Sequence, residues 1–220
     1  MFRKFVIGFT TLMISVSVMV PVTANAQLPT TQSILPGKTG EDWRPMWVSE
    51  DGKPMGWSAC RGSIPIYIDP TQAPACLENA IIAHIPRIAK DSGIPFVYAG
   101  HQQASPSWVS PGIIVIFRTP EQFSALSGKA GAAKPTSGTA APADVITSAV
   151  VAFNTEFYNS TSPRSKNWVN SHVVTHEFGH ALGLSHVKSK NAVMGARVSV
   201  KFKNFQKADK IGLRTIRKCA

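Results

Sequence analysis

One segment of the chain, residues 176–186, restricts the fold more than any other. It reads H-E-x-x-H-x-x-G-x-x-H, so His176 and His180 stand four residues apart. On an α-helix that spacing places two side chains on one face, where two imidazoles can bind one metal ion. Gly183 can adopt a positive φ and end the helix in a sharp turn. The turn predicts that His186 comes back toward the same ion as a third ligand.

Glu177 lies next to the first predicted ligand. Three neutral histidines leave the charge of a Zn²⁺ ion uncompensated and a fourth coordination position open to water. Zinc can lower the pKa of such a water to near 7. The sequence therefore predicts that Glu177 accepts a proton from the water and passes it to a leaving amine.

The elongated motif resembles that of the metzincin metallopeptidases, and its sequence, HEFGHALGLSH, is similar to the matrixin form. Metzincins also place a methionine in a tight turn beneath the metal, and Met194 follows His186 at the spacing that matrixins use. The resemblance implies that Met194 forms an apolar floor under the zinc and that Asp209 anchors this Met-turn. It also implies one catalytic Zn²⁺ ion, whereas calcium (Ca²⁺) binding stays open.

The function implied by the resemblance is that of a secreted zinc-dependent endopeptidase of the short bacterial matrixin-like type. Zinc-bound water would attack the peptide carbonyl, with Glu177 as general base and then as general acid. The substrate would be a peptide or protein that lies extended along an edge strand near residues 140–148. We expect a monomer that uses no nucleotide cofactor.

The sequence departs from the matrixin pattern around the specificity pocket and in the control of activity. Matrixins usually carry a proline shortly after the methionine, whereas Gly195-Ala196-Arg197 follows here. The sequence contains no Pro-Arg-Cys-Gly switch, and it lacks the His/Asp cluster that binds a structural zinc in vertebrate members. The wall of the specificity pocket and the way in which premature activity is avoided therefore stay open.

The first 26 residues have the composition of a secretory signal peptide. Arg3 and Lys4 precede the apolar stretch from Phe5 to Val20, and Ala24-Asn25-Ala26 provides an A-x-A cleavage site. The apolar stretch, about 16 residues long, is shorter than the ~20 residues of a membrane-spanning helix. We expect cleavage near Ala26–Gln27 and an extracellular location, with an uncleaved membrane anchor as the alternative.

Export affects the interpretation of the three cysteines, because an oxidising environment favours a disulfide. A Cys60–Cys219 bridge would join the two ends of the domain, and we favour this pairing. A Cys60–Cys76 bridge would require the chain to double back across a predicted strand of about 20 Å. Free thiols and pairing between molecules are further alternatives, and Cys60 as a thiolate that blocks the zinc is a weaker one.

The net charge of +11 is concentrated outside the middle of the chain. Residues 1–26 contain two basic residues, residues 27–186 contain 11 basic and 11 acidic residues, and residues 187–220 contain ten basic residues and one acidic residue. The three segments therefore carry +2, 0 and +9. This distribution supports an alternative function, in which an exported basic protein binds an anionic cell-surface polymer or nucleic acid through residues 187–220, with the peptidase site secondary or inactive.

The predicted organisation is a signal peptide (1–26), an extended N-terminal arm (27–59) whose tryptophans cover the core, and a catalytic domain (60–220) with a basic C-terminal segment (187–220). The fold class is α+β. The resemblance implies a metzincin-like zincin domain, in which a twisted mixed sheet packs with an active-site helix, a second long helix and a C-terminal helix.

Hydrophobic periodicity predicts the individual elements. The predicted strands are Ile64–Asp69, Phe96–Ala99, Ile113–Phe117 and Thr147–Asn154, and the predicted helices are Leu77–Lys90, Trp168–Leu182 and Asp209–Lys218. Pro86 should kink the first helix or end it early. The composition of Ser127–Ala143 indicates a loop. We interpret His172 as a histidine at the start of its helix that forms local hydrogen bonds, with contact to the substrate or the zinc-site rim as the alternative.

Overall fold

A computed structural model describes most of the chain after residue 42. The described residues are 43–60, 62–104, 110–138, 141–142, 144–160, 163–189, 191–197 and 201–218. The predicted signal peptide, the first part of the predicted arm and Cys219 lie outside them, so these predictions stay as stated. No helix in the described part of the chain is both long and apolar enough to cross a membrane.

The described residues form seven strands and four α-helices. The strands are β1 (Gly56–Trp57), β2 (Ile64–Ile68), β3 (Phe96–His101), β4 (Gly112–Arg118), β5 (Gly131–Thr136), β6 (Val145–Ile146) and β7 (Ser148–Asn154). The helices are α1 (Ala75–Ser92), α2 (Thr155–Ser160), α3 (Pro163–Ala181) and α4 (Lys207–Ile216). A short 3₁₀ turn, Ser124–Leu126, precedes β5. The predicted fold class, a mixed sheet with an active-site helix, a second long helix and a C-terminal helix, is confirmed.

Five strands form one sheet in the order β3-β2-β4-β7-β5, and β1 and β6 form a separate parallel pair. The first four strands of the large sheet are parallel to one another, whereas β5 is antiparallel to β7. A parallel sheet with helices on its faces buries its central strands, and β4 is buried along almost its whole length. Alternate side chains of β4 therefore enter two clusters. Ile113, Val115 and Phe117 pack with the helices, while Ile114 and Ile116 pack with Leu126 and Ala152.

Helix α1 runs through Pro86 to Ser92, so the predicted early end or kink does not interrupt it. Proline removes one backbone donor and costs free energy inside a helix. Here the apolar face of α1 offsets that cost, because its isoleucines and its leucine are buried in the main core. The helix ends at Gly93, which adopts φ of 68° and donates its amide to Ala89 O over 2.9 Å.

The region predicted as a loop, Ser127–Ala143, contains strand β5, and that prediction is wrong for Gly131–Thr136. Its residues are mostly small or polar and lack the β-branched side chains that mark a strand in a sequence. Pairing with the buried strand β7 organises β5 instead, from Gly131 opposite Phe153 to Thr136 opposite Ser148. Pro135 is tolerated because β5 lies at the edge of the sheet.

The position of β5 also corrects the predicted position of the edge strand. Of the described residues between 141 and 148, Val145–Ile146 belongs to the small pair with β1, and Ser148 begins β7 inside the large sheet. The edge strand beside β7 is β5, which ends four positions before residue 140. The mistake follows directly from assigning the β5 region to a loop.

Helix α3 begins at Pro163, five residues before the predicted start. Proline is favoured in the first turn of a helix, because the backbone nitrogens there have no hydrogen-bond acceptor within the helix and the missing N–H group costs nothing. Helix α4 starts at Lys207 with a reciprocal pair of bonds between Gln206 and Asp209. Helix α4 packs against the turn at Val193 and Met194, which follows the third predicted ligand.

Candidate metal centre and active site

The structure brings the three predicted ligands together. His176 and His180 project from α3, and the Nε2 atom of each lies 3.1 Å from Nε2 of His186. These three histidines are a group whose ligand atoms all lie within 4.8 Å of one another. Two nitrogens bound tetrahedrally at 2.0–2.1 Å from one zinc would be about 3.3–3.4 Å apart. The arrangement therefore fits a zinc ion with a small outward adjustment.

Backbone carbonyls fix the orientation of two of the rings. His176 donates from Nδ1 to Val193 O over 2.8 Å, and His180 donates from Nδ1 to Leu184 O over 2.8 Å. A carbonyl oxygen can only accept, so the proton resides on Nδ1 and the lone pair of Nε2 faces the centre. Burial lowers the pKa of His176 to about 3 and that of His180 to about 4, with the neighbouring histidines adding to the effect at His176. The rings are therefore neutral, as metal ligation requires.

A glycine turn returns the chain to the metal centre after α3. Gly183 has φ of 105°, in the left-handed region that other residues avoid. Its amide donates to His180 O, and the Leu184 amide donates to Gly179 O, both over 2.9 Å. A Cβ atom at Gly183 would lie 2.8 Å from Met55 O. Conformation and close packing thus both require glycine here, as the sequence predicts.

Met194 packs against α3 at Gly179 and is only 1 % exposed. A Cβ atom added to Gly179 of α3 would collide with its sulfur, so the missing side chain lets the methionine approach the helix. The Val187 amide donates to Met194 O over 3.0 Å and connects this turn to the third ligand's segment. The position agrees with the apolar floor that the resemblance implies.

Asp209 of α4 anchors the turn that contains Met194. Its carboxylate accepts from the amides of Val193 at 2.9 Å, Gln206 at 2.8 Å and Met194 at 3.4 Å. The side chain is fully buried, and burial raises the pKa of its carboxyl group while these amides oppose the rise. The predicted role of Asp209 is confirmed.

Glu177 directly follows the first ligand in α3 and is 6 % exposed. Burial raises the pKa of its carboxyl group to about 8, and the positive charge of Lys129 opposes the rise. Its neighbour across the cleft is Gly131 of β5, where an added Cβ would lie 2.6 Å from Glu177 Cγ and 3.0 Å from Oε1. The carboxylate is therefore held between α3 and the edge strand.

The comparisons with known proteins agree with this geometry. The matrixin family profile matches residues 112–217, from β4 to the end of α4. Over this region, which is slightly less than half of the chain, the protein is similar to the matrixins. This places it among the zinc metalloendopeptidases, and zinc is the metal expected for its three-histidine cluster.

A solved structure is also similar to this chain. Archaemetzincin from Methanopyrus kandleri matches with a TM-score of 0.44 and 15 % sequence identity. The match covers 71 % of this chain and 97 % of the archaemetzincin chain. No curated protein matches the chain.

The segment before the matrixin match forms hydrogen bonds with the chain between the second and third ligands. Met46 donates its amide to Gly183 O over 2.6 Å, and Ser185 donates its amide to Arg44 O over 2.8 Å. Trp57 donates from Nε1 to Ala181 O over 2.8 Å. These bonds hold the residues that lead from the second ligand to the third. Sequence reasoning predicted that the tryptophans cover the core but missed the backbone bonds, which no local pattern encodes.

His172 has a different role from the one predicted. It lies well inside α3 and is 1 % exposed, so it cannot contact substrate in this structure. It donates from Nδ1 to Phe202 O over 2.9 Å, thirty positions along the chain, rather than to a local acceptor. Its ring stacks on His176 at 5.9 Å between centroids and 25° between planes. The earlier start of α3 explains the difference, because His172 is no longer near the helix terminus.

The cysteines lie away from the metal centre as far as the described residues show. The group of candidate ligands contains the three histidines and no cysteine. Cys76 is free and exposed. The residues beside the other two cysteines are adjacent, because Ala59 donates its amide to Lys218 O over 2.8 Å. The Cys60–Cys219 pairing stays a prediction, since Cys219 lies outside the described residues.

Proposed function

We propose that this protein is a secreted zinc endopeptidase in which Glu177 is the general base and then the general acid. The observation that carries the proposal is the convergence of three Nε2 atoms, with the buried carboxylate of Glu177 directly after the first ligand in the chain. A zinc ion held by His176, His180 and His186 would act as a Lewis acid and lower the pKa of a coordinated water to near 7. The similarity to the matrixin profile supports the same metal.

The proton transfers fall to Glu177. Its carboxylate accepts a proton from the attacking water and delivers it to the amine that leaves when the peptide bond breaks. Burial strengthens the carboxylate as a base, because it disfavours the charged form. Gly131 on one side and α3 on the other restrict its movement, which keeps the carboxylate oriented for both steps.

The substrate in this proposal is an extended peptide along the outer edge of β5. Within the described sheet, β5 pairs with β7 on one side only, so the backbone groups of its other edge are available to a peptide. Gly131 brings this edge against Glu177. A peptide added there would pass close to Glu177.

Secretion and a disulfide complete the proposal. The basic, apolar and A-x-A regions of residues 1–26 support cleavage near Ala26–Gln27 and an extracellular, monomeric enzyme. Cys76 is free, and the Ala59–Lys218 bond brings the flanks of the other two cysteines together, which supports a Cys60–Cys219 bridge. Mass spectrometry of the mature protein, with and without reduction, would test the cleavage site and the bridge together.

The basic segment 187–220 has an accessory role in this proposal, docking the enzyme on an anionic surface. Two of its lysines are already used in ion pairs, Lys210 with Asp91 at 2.8 Å and Lys218 with Asp144 at 2.9 Å. Lys207 and Arg214 of α4 are exposed beside Ile211 and can face a polyanion. Binding to such a polymer should weaken steeply between low and moderate salt. Salt-independent retention on it would contradict the docking role.

The decisive experiment is a peptide-library digest by the mature protein loaded with zinc. We expect cleavage products that disappear with a chelator and return when zinc is restored. Glu177→Gln is the matched variant, because it keeps the size of the side chain and all three ligands. Full activity of that variant would contradict the proposed mechanism, and an absence of chelator-sensitive products would contradict the proposed function.

A further inference from the structure

One lysine, Lys129, stands at the entrance of β5 and acts electrostatically on the active site. It lies two residues before Gly131, the residue of β5 that packs against Glu177. Its positive charge opposes the rise in the pKa of Glu177, in agreement with this short separation along the chain. Lys129 is exposed, and no ion pair of its ammonium group is found among the described residues.

The backbone around Lys129 is held in place by β7. Asn154, the last residue of β7, donates from Nδ2 to Lys129 O over 2.9 Å and from its backbone amide to Ala130 O over 3.0 Å. One residue further on, Gly131 touches Glu177. Two extended residues span about 7 Å, so Lys129 begins within one side-chain length of the catalytic carboxylate. The backbone of Lys129 is therefore fixed next to Glu177, while its side chain is exposed and free to move.

This placement has a consequence for the substrate. A peptide that pairs antiparallel with β5 passes the first residues of the strand with its own later residues. The part of the substrate that follows the scissile bond then lies nearest to Lys129. A flexible lysine with an unpaired ammonium group attracts a carboxylate in that position and gives no comparable attraction to an uncharged side chain.

We propose that Lys129 is a specificity-determining residue that favours substrates with a carboxylate shortly after the scissile bond. The inference rests on the proposed peptidase function and names a substrate class for it. The carboxylate has two sources, an Asp or Glu side chain within a longer peptide and the free C-terminus of a short one. Both would meet the same ammonium group, so the experiment separates them.

The test uses one parent peptide, taken from a sequence that the wild-type enzyme cleaves in the library digest. Glu and Gln versions are made at each of the three positions after the scissile bond, together with a short peptide that ends there as an acid or as an amide. Values of kcat/KM are measured for wild type, Lys129→Met, Lys129→Glu and Lys134→Met. Lys134 is exposed on the same strand and serves as the matched control.

For wild type and Lys134→Met we expect kcat/KM to be about 3- to 10-fold higher for the best-placed carboxylate than for its amide. The ratio should fall to about one in Lys129→Met, invert in Lys129→Glu, and shrink for wild type as ionic strength rises. If the kcat/KM ratio of the Glu to the Gln peptide depends on Lys129, the preferred carboxylate is a side chain. If the ratio of the free acid to the terminal amide depends on it, the preferred carboxylate is the C-terminus.

Two results would overturn the inference while the peptidase function stands. One is chelator-sensitive cleavage by wild type with an acid-to-amide ratio of one at every position. The other is a wild-type ratio that persists in Lys129→Met. Absence of chelator-sensitive cleavage of any peptide would contradict the proposed function itself, and the inference with it.

Discussion

Two regions of the molecule face each other across Glu177, and they are encoded in different ways. The metal-binding region, α3 with the turns to Met194, depends on residue spacing within about twenty positions. The opposite wall, β5, is built from small and polar residues whose place is set by pairing with β7. The metal-binding side contains the three histidines and Glu177, while β5 limits where the carboxylate of Glu177 can lie. A site encoded by local spacing thus depends on a wall that is encoded by long-range pairing.

The largest expected effect is on the metal-binding side. Glu177→Gln should lower kcat/KM about 10²- to 10⁴-fold, because the amide cannot accept the proton of the attacking water. Zinc content should stay at one ion per molecule, since all three histidines remain. Activity assays together with metal analysis of the purified variant check this expectation. Loss of zinc in parallel with activity would mean that Glu177 also supports the ligands.

The next effect concerns the anchor of the Met-turn. Asp209→Ala leaves three amides without their acceptor, two of them buried with Val193 and Met194, and should lower the free energy of unfolding by about 3 kcal/mol. Zinc affinity should fall as well, because Val193 O orients His176. Urea unfolding and zinc titration measure the two effects. Asp209→Asn keeps one acceptor oxygen and should lose less; equal losses in both variants would argue against these bonds as the cause.

The matching test of the β5 wall is Gly131→Ala. The new Cβ would overlap Glu177 Cγ and displace the carboxylate, so kcat/KM should fall about 10- to 100-fold while zinc affinity stays unchanged. Steady-state kinetics and zinc titration give the two readouts. Ala132→Ser, one residue along the same strand, is the control and should retain activity. Unchanged activity in Gly131→Ala would show that β5 can move away from Glu177 and does not fix the position of its carboxylate.

The smallest expected effect comes from the N-terminal arm. Trp57→Phe removes the indole donor to Ala181 O and leaves a buried carbonyl unpaired, which should cost about 1 kcal/mol of unfolding free energy. Trp47→Phe is the control, and urea unfolding measures both. A loss as large in the control would indicate that aromatic packing, and not the hydrogen bond, stabilises the end of α3.

The features that the sequence alone could predict are those with a local signal. The ligands, the Gly183 turn and Met194 are readable because i, i+4 spacing and a helix-ending glycine are local signals. Asp209 was found through the family resemblance. Strand β5 was missed because its residues have no strand preference, and the run of α1 through Pro86 was missed because tertiary burial outweighs the local cost of proline. Contacts between distant segments, such as Gly131 with Glu177, have no local signal.

The bond between Trp57 and Ala181 connects residues 124 positions apart, and the bonds of Arg44 and Met46 with the zinc loop span still longer separations. Contacts of such long range form late, because closing a long loop loses chain entropy before the contact can stabilise the fold. The third ligand therefore reaches its place only when nearly the whole domain has emerged and folded. We expect a nascent or partly folded chain to bind zinc poorly and to be unable to cut its neighbours, so folding order itself delays proteolysis until the domain is complete.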